Sequence, residues 1–254
     1  MGLNRIVMPV FGLLFLTFLS ACSGDGDTPP PSPVPLTAAT AEGFWTGTTN
    51  TNRTVTGVVL DDGVYWFLYS VGGDPSIIEG VFQGDSNAQN GALNSLNGKD
   101  FNVERAVTPV LNATINGSYT TKQSLSGSYQ SNVPDTFTTA YNSDYELTPD
   151  ITAVAGTYTG PVAQNETVNV TVSAAGRISG ISSTGCRITG SVSSRTRGNV
   201  FDVTITFGGQ STCSNGTNTV NGVGLYNART KKLYSAAFNS DRTNGFVFLG
   251  TKNP

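Results

Sequence analysis

The sequence contains no histidine, and only 12% of its residues are charged. Histidine is a frequent general base and the commonest metal ligand of proteins, so its absence removes many hydrolytic and metal-dependent mechanisms. The chain also has no G-x-S-x-G or S-x-x-K motif, no glycine-rich phosphate loop and no D-x-D-x-D-G calcium loop. We therefore expect no enzymatic activity, no cofactor and no metal site.

The apolar segment near the N-terminus is too short and too interrupted to span a membrane as a helix. The segment from Ile6 to Leu19 is interrupted by Pro9 and Gly12, and it is shorter than the roughly 20 residues that a membrane-spanning helix needs. Arg5 is the only charged residue before this segment, and small residues follow it. This pattern predicts a cleavable secretory signal over residues 1–21.

The end of this signal, Leu19-Ser20-Ala21-Cys22, resembles the lipobox of bacterial lipoproteins. The resemblance implies that Cys22 becomes the mature N-terminus, carrying diacylglycerol and a fatty acid such as palmitate. Three acyl chains, at about 0.8 kcal/mol per buried methylene, would give a stable membrane anchor. Ser23 follows the cysteine, which in Gram-negative lipoproteins implies the outer membrane, on either face. The alternative is an ordinary secretory signal with a chance cysteine.

Residues 22–42 follow the proposed anchor and are rich in proline: Pro29, Pro30, Pro31, Pro33 and Pro35. Such a segment cannot bury a core, and it should stay extended and resemble polyproline. It would serve as a tether of up to roughly 60 Å, at about 3.1 Å per residue. A disordered leader without a spacer role has the same composition.

Two similar pentapeptides divide the rest of the chain. Residues 43–47 read GFWTG and residues 156–160 read GTYTG, each followed by about 100 residues with short strand patterns. Between the halves, residues 143–156 contain a proline and no clear alternation. We therefore predict an internal repeat with a first domain over 43–148 and a second over 153–254.

The composition predicts an all-β fold, because Gly, Thr, Ser, Asn and Val dominate and no window has a sustained helical apolar period. Val168, Val170 and Val172 alternate with polar residues, as strands do. In the second half, short turns separate eight predicted strands near 154–160, 166–173, 176–183, 185–193, 199–207, 218–227, 231–239 and 245–251. We expect two tandem antiparallel meander domains of about eight strands each, closed as barrels or folded as sandwiches.

Two cysteines remain when Cys22 is set aside. In a meander, the turn beside Cys186 and the loop that holds Cys213 lie at the same end, so a disulfide between them requires no strand to move. Two cysteines in one exported domain favour this bond. Free thiols are the alternative, which an oxidising compartment disfavours.

Charge is divided unequally between the halves. Residues 43–150 hold 4 basic and 11 acidic side chains, whereas residues 151–254 hold 9 basic and 3 acidic ones. The meander places six of the basic residues at the end of the second domain where the linker enters, opposite the disulfide. We call them the basic rim: Arg177, Arg195, Arg197, Arg229, Lys231 and Lys232.

The basic rim has two interpretations. It docks on the acidic first domain and orients the pair, or it binds an external anionic partner such as lipopolysaccharide phosphates, an acidic glycan or a protein. We expect no nucleic-acid partner for an exported, lipid-anchored chain.

An aromatic stretch, VYWFLYS at residues 64–70, is apolar on both faces of a predicted strand. Tyr65, Phe67 and Tyr69 share one face, and Val64, Trp66 and Leu68 share the other. Strands of this kind usually have both faces covered, which favours packing in the core and between the domains. The alternative is that Tyr65, Phe67 and Tyr69 form an exposed aromatic surface for a sugar or a protein.

These features predict a membrane-anchored envelope lipoprotein with a non-catalytic binding or adhesion role at the cell surface or in the periplasm. The anchor, tether and two β-rich halves are similar in layout to two-lobed β-barrel surface lipoproteins that bind transferrin or factor H, although no motif is shared. The alternatives are a structural envelope component and a barrel that carries a small apolar ligand.

Overall fold

The computed structural model describes residues 40–105, 109–162 and 166–254, and these form two antiparallel eight-stranded barrels in tandem. The all-β prediction is confirmed, and the open choice between barrel and sandwich is decided in favour of the barrel. Neither of the two short helices in the described chain has the length and apolar character needed to cross a membrane.

The first barrel is a meander whose ends meet. Its strands are β1 (Gly43–Thr49), β2 (Thr54–Val59), β3 (Val64–Val71), β4 (Asp74–Asp85), β5 (Asn87–Gln89), β6 (Ala92–Asn102), β7 (Val110–Thr120), β8 (Ser124–Gln130) and β9 (Asp135–Asn142). Strand β9 pairs with β1, and β4 pairs directly with β6. Strand β5 is a short addition that pairs only with β6, so eight strands form the closed wall.

The second barrel follows the chain order around its wall. Its strands are β10 (Gly156–Pro161), β11 (Thr167–Val172), β12 (Arg177–Ser182), β13 (Arg187–Ser194), β14 (Phe201–Phe207), β15 (Thr219–Asn227), β16 (Lys232–Phe238) and β17 (Gly245–Lys252). Strand β17 closes on β10 through the pairs Tyr158 with Lys252 and Thr159 with Thr251. All eight strands predicted from alternation are present, each boundary within about two residues.

The two pentapeptides occupy equivalent places, in β1 and β10. The Trp45 indole donates a hydrogen bond to the Ala41 carbonyl at 2.9 Å, and the Tyr158 hydroxyl donates to the Val154 carbonyl at 2.5 Å. Both rings are fully buried, and each bonds to the residue four positions before it. Each barrel is therefore plugged in the same way near its linker end, which supports the internal repeat.

The glycines that end the two pentapeptides also match. A Cβ on Gly47 would lie 2.0 Å from the Thr138 carbonyl oxygen, and one on Gly160 would lie 2.0 Å from the Leu249 carbonyl oxygen. Any side chain would clash with the backbone of the neighbouring strand, so both positions require glycine.

Inward-facing side chains fill both barrels. The void inside the second barrel is about 30 Å³, and that inside the first is about 20 Å³. These volumes are comparable to that of one water molecule. The barrel interiors are thus packed cores rather than ligand chambers.

A third core lies between the barrels. Trp66 and Phe101 of the first barrel pack against Phe238 of the second, with ring centroids 5.7 and 5.8 Å apart. We call this group the shared apolar cluster; its buried members include Phe44, Val58, Trp66, Leu68 and Phe101 on one side and Val223, Leu225, Phe238, Val247 and Leu249 on the other. This burial joins the two barrels into one compact unit.

The linker between β9 and β10 is also packed. It contains a 3₁₀ helix (Ser143–Glu146) and a short α-helix, α1 (Ile151–Val154), capped by the side chains of Asn142 and Asp150. Tyr145 and Val154 are buried, so the linker forms part of the folded unit.

Candidate functional site

The basic rim is assembled at the linker end of the second barrel, where the β11–β12, β13–β14 and β15–β16 connections lie together. Of the three rim arginines that form ion pairs, Arg195 has the least exposed side chain. The guanidinium lies 3.0 Å from the Asp61 carboxylate and 3.5 Å from that of Asp62, both in the first barrel, and 2.9 Å from that of Asp202. Its pKa is raised because these contacts outweigh the effect of burial.

Two other rim arginines also contact the first half of the chain. Arg197 holds the Glu42 carboxylate through two nitrogens, at 2.7 and 3.2 Å, and the Tyr145 hydroxyl donates to the same carboxylate at 2.8 Å. Arg229 lies 3.4 Å from Asp144. The first interpretation of the rim, docking on the acidic half of the chain, therefore has direct contacts in its support.

The remaining rim residues are arranged differently. Within the described parts of the chain, no carboxylate lies within salt-bridge distance of Arg177, Lys231 or Lys232. Arg177 and Lys231 are exposed. The role of Asp61 and Asp62 as partners of the rim could not be predicted from the sequence, because Arg195 lies more than 130 residues further along the chain.

The prediction of an exposed aromatic surface is wrong. Tyr65, Phe67 and Tyr69 are 0%, 5% and 5% exposed and pack in the core of the first barrel. Trp66 and Leu68, on the other face of β3, belong to the shared apolar cluster. Both faces are covered because one points into the barrel and the other meets the second barrel.

The predicted disulfide is confirmed. Cys186 and Cys213 are bonded, with Cα atoms 4.9 Å apart and a sequence separation of 27. The bond attaches the β14–β15 loop to the start of β13 at the end of the barrel opposite the linker. Cys22 lies outside the described residues.

A cleft of about 600 Å³ opens at this disulfide end, and both barrels line it. Phe101 and Val103 come from the first barrel, and Ile188, Phe207 and Phe246 from the second. Polar groups stand among them: Arg105, Glu166, Thr184, Thr212, Asn215 and Asn244. The β14–β15 loop, held by Cys213, supplies one wall.

Asn215 is the most deeply buried polar side chain of that wall, at 6% exposure. Its Nδ2 donates to the Gly245 carbonyl at 3.1 Å, and its Oδ1 accepts no hydrogen bond within the described chain. An unpaired buried acceptor costs about 1–3 kcal/mol. The Asn215 amide therefore connects the loop to β17 through Nδ2, while its Oδ1 has no partner in the described chain.

A second cavity, of about 240 Å³, lies at the corresponding end of the first barrel. We call this cavity the charged mouth, because its lining includes Arg53, Glu79, Asp100, Asn102, Arg105 and Asp135. Asp100 is 2% exposed and accepts from the Tyr69 and Ser131 hydroxyls, each at 2.7 Å, and from Arg105 at 2.5 Å. Arg105 borders both cavities.

The rest of the charged mouth is equally well paired. Arg53 forms an ion pair with Glu79, and Asn102 donates to Glu79 at 2.8 Å. Asp135 accepts from Thr51 and, at 3.3 Å, from Tyr129. Each charge in the charged mouth therefore has a partner.

The pKa values follow from burial and these bonds. Burial, and then the Asp100 carboxylate, raises the pKa of Tyr69 well above its usual range; burial and Asp135 do the same for Tyr129. Burial alone would raise the pKa of Asp135, but hydrogen bonds from Thr51 and from the Thr136 backbone outweigh it and lower the pKa. Near neutral pH the mouth thus presents the neutral phenols of Tyr69 and Tyr129 and the ionised carboxylate of Asp135.

Within residues 40–105, 109–162 and 166–254, no group of three or more carboxylate or cysteine side chains is placed to hold a metal ion. No protein-family model matches the chain, and no curated protein is significantly similar to it in sequence. Neither cavity could be predicted from the sequence: strand pairing in the first barrel brings the residues of the charged mouth together, and the cleft also requires the two barrels to lie side by side.

Proposed function

We propose that this protein is a lipid-anchored envelope protein with a non-catalytic binding role, and that its ligand occupies the cleft between the two barrels. The observation that carries the proposal is the cleft itself. Its volume of about 600 Å³ falls within the roughly 300–1,000 Å³ of typical ligand sites, which also favour domain interfaces. The mixture of aromatic and hydrogen-bonding groups suits a small amphipathic molecule.

The alternative of a barrel that carries an apolar ligand in its interior has less support. The voids of about 20 and 30 Å³ leave no room for such a ligand unless the core repacks. An external anion on the basic rim also has less support, since three of the six rim residues are already paired with carboxylates from the first half of the chain.

The proposed location in the cell rests on the lipobox resemblance. We propose that Cys22 is acylated, that residues 1–21 are removed and that the mature protein resides in the outer membrane. Mass spectrometry of the N-terminal peptide from the membrane fraction tests the anchor, and an unmodified Cys22 in a soluble protein would refute it. Protease treatment of intact cells then shows which face of the membrane the protein occupies.

A blocked cleft tests the binding proposal. Thr184 is exposed and lines the cleft, so Thr184→Trp should fill part of it without disturbing the core. Thr171 is exposed on β11 and does not line the cleft, so Thr171→Trp is the matched control. With 1-anilinonaphthalene-8-sulfonate as the probe, we expect saturable fluorescence from the wild type and the control and a loss of about tenfold in affinity for Thr184→Trp. Equal binding by all three proteins would place the probe elsewhere.

A further inference from the structure

The charged mouth of the first barrel combines hydrogen-bonding capacity with almost no net charge. It contains the carboxylates of Glu79, Asp100 and Asp135 and the guanidinium groups of Arg53 and Arg105. Arg53 is paired with Glu79, and Arg105 with Asp100. An incoming anion would have to compete with a resident carboxylate for each guanidinium, so the site does not favour anions.

Aromatic rings lie beside this polar lining. Tyr129 is half-buried, and its ring centroid lies 4.2 Å from that of Phe82, which in turn lies 5.2 Å from Tyr69. All three residues line the cavity. A ligand that enters would meet an aromatic surface as well as carboxylates, an amide and guanidinium groups.

The place of the cavity in the repeat gives a second argument. Each barrel is plugged near its linker end, by Trp45 in one and Tyr158 in the other. Each also lines a cavity at its opposite end: the first barrel forms the charged mouth, and the disulfide end of the second barrel forms one side of the cleft between the barrels. The mouth therefore corresponds in position to the site already proposed for binding.

We propose that the charged mouth binds a single neutral sugar ring. A hydroxyl group both donates and accepts hydrogen bonds, whereas carboxylates only accept and guanidinium groups only donate. A molecule with several neighbouring hydroxyls can therefore bond to both kinds of group at once. The apolar face of the ring would lie on Tyr129.

Blocking the mouth tests this proposal. Asn132 is exposed and lines the cavity, whereas its near neighbour Gln130 is exposed and does not. Asn132→Trp should close the mouth, and Gln130→Trp is the matched control. The full chain is purified in a detergent without a sugar headgroup and titrated with methyl glucoside, methyl galactoside and N-acetylglucosamine by saturation-transfer NMR.

We expect at least one of the three sugars to bind saturably, with a dissociation constant of about 1 mM. Weak affinity of this order is expected for so small a ligand. Asn132→Trp should weaken binding at least about tenfold, and Gln130→Trp should leave it unchanged. Asp135→Asn should weaken it about tenfold, since a charge-assisted hydrogen bond is typically worth that much.

The proposal is overturned if none of the three sugars binds, if Asn132→Trp binds as well as Gln130→Trp, or if glucuronate binds more tightly than the neutral sugars. Thr184→Trp, which blocks the cleft, should not affect sugar binding. A failure at one cavity is thus distinguishable from a failure at the other.

Discussion

Arg195 concentrates more ion-pair contacts than any other basic residue in the described chain. Its side chain is 20% exposed and meets three carboxylates, two of them in the opposite barrel. An isolated surface ion pair contributes little, with a median near 0–1 kcal/mol. A partly buried guanidinium shared by several carboxylates contributes more, because its removal leaves those carboxylates close together without compensation.

We therefore expect Arg195→Ala to lower the free energy of unfolding by about 1–2 kcal/mol. For a protein of this size that corresponds to a decrease of about 2–8 °C in the midpoint of thermal unfolding. Arg177→Ala is the control, since Arg177 is exposed and has no salt-bridge partner in the described chain; it should change stability by less than about 0.5 kcal/mol. Equal midpoints for the two variants would show that the rim contacts are unimportant for docking.

At the scale of the element, the β14–β15 loop is the segment whose position depends most clearly on a covalent bond. The loop runs from Gly208 to Asn218 and forms tight turns, and Cys213 attaches it to Cys186. Asn215 provides the hydrogen bond to β17 described above. Since Thr212, Ser214 and Asn215 line the cleft, the disulfide determines the shape of one wall.

Replacing both cysteines by serine should therefore have two effects. Closing a loop of this length is worth on the order of 3 kcal/mol in the chain-entropy model, so stability should fall by about that amount. Dye binding in the cleft should also weaken, while the far-UV circular dichroism keeps its β-sheet spectrum. Wild-type protein treated with dithiothreitol should behave as the double variant does. Unchanged dye binding in both would show that the loop does not shape the cleft.

The strands of the second barrel could be predicted from sequence because alternation is a local signal: Val168, Val170 and Val172 point inward while their polar neighbours face out. The disulfide followed from counting turns in a meander. The role of Tyr65, Phe67 and Tyr69 could not be decided in the same way, since β3 is apolar on both faces. The cleft could not be predicted because its lining residues, such as Phe101 and Phe246, belong to different barrels.

At the scale of the whole molecule, the shared apolar cluster makes the two barrels interdependent. Trp66 is 6% exposed and packs on Phe238 of the second barrel. Large-to-small changes at buried aromatic positions cost about 3–5 kcal/mol. Here the loss falls on the contact between barrels rather than on the interior of either one.

We expect the wild-type protein to unfold in a single cooperative transition in urea and the Trp66→Ala variant to unfold in two steps. Circular dichroism and calorimetry measure this, with the ratio of van't Hoff to calorimetric enthalpy as the criterion. Val170→Ala, inside the second barrel, is the control: it should lower stability but keep one transition. Two transitions in the wild type would show that the barrels are independent despite the cluster.

The contacts of Glu42 have a mechanical consequence. Tension applied to the chain before the first barrel arrives at Ala41 and Glu42, just ahead of β1. There the Trp45 indole holds the Ala41 carbonyl, and Arg197 of the second barrel and Tyr145 of the linker hold the Glu42 carboxylate. A pull on the proposed anchor would therefore be shared between both barrels at once, instead of peeling β1 away from β2 and β9 one hydrogen bond at a time.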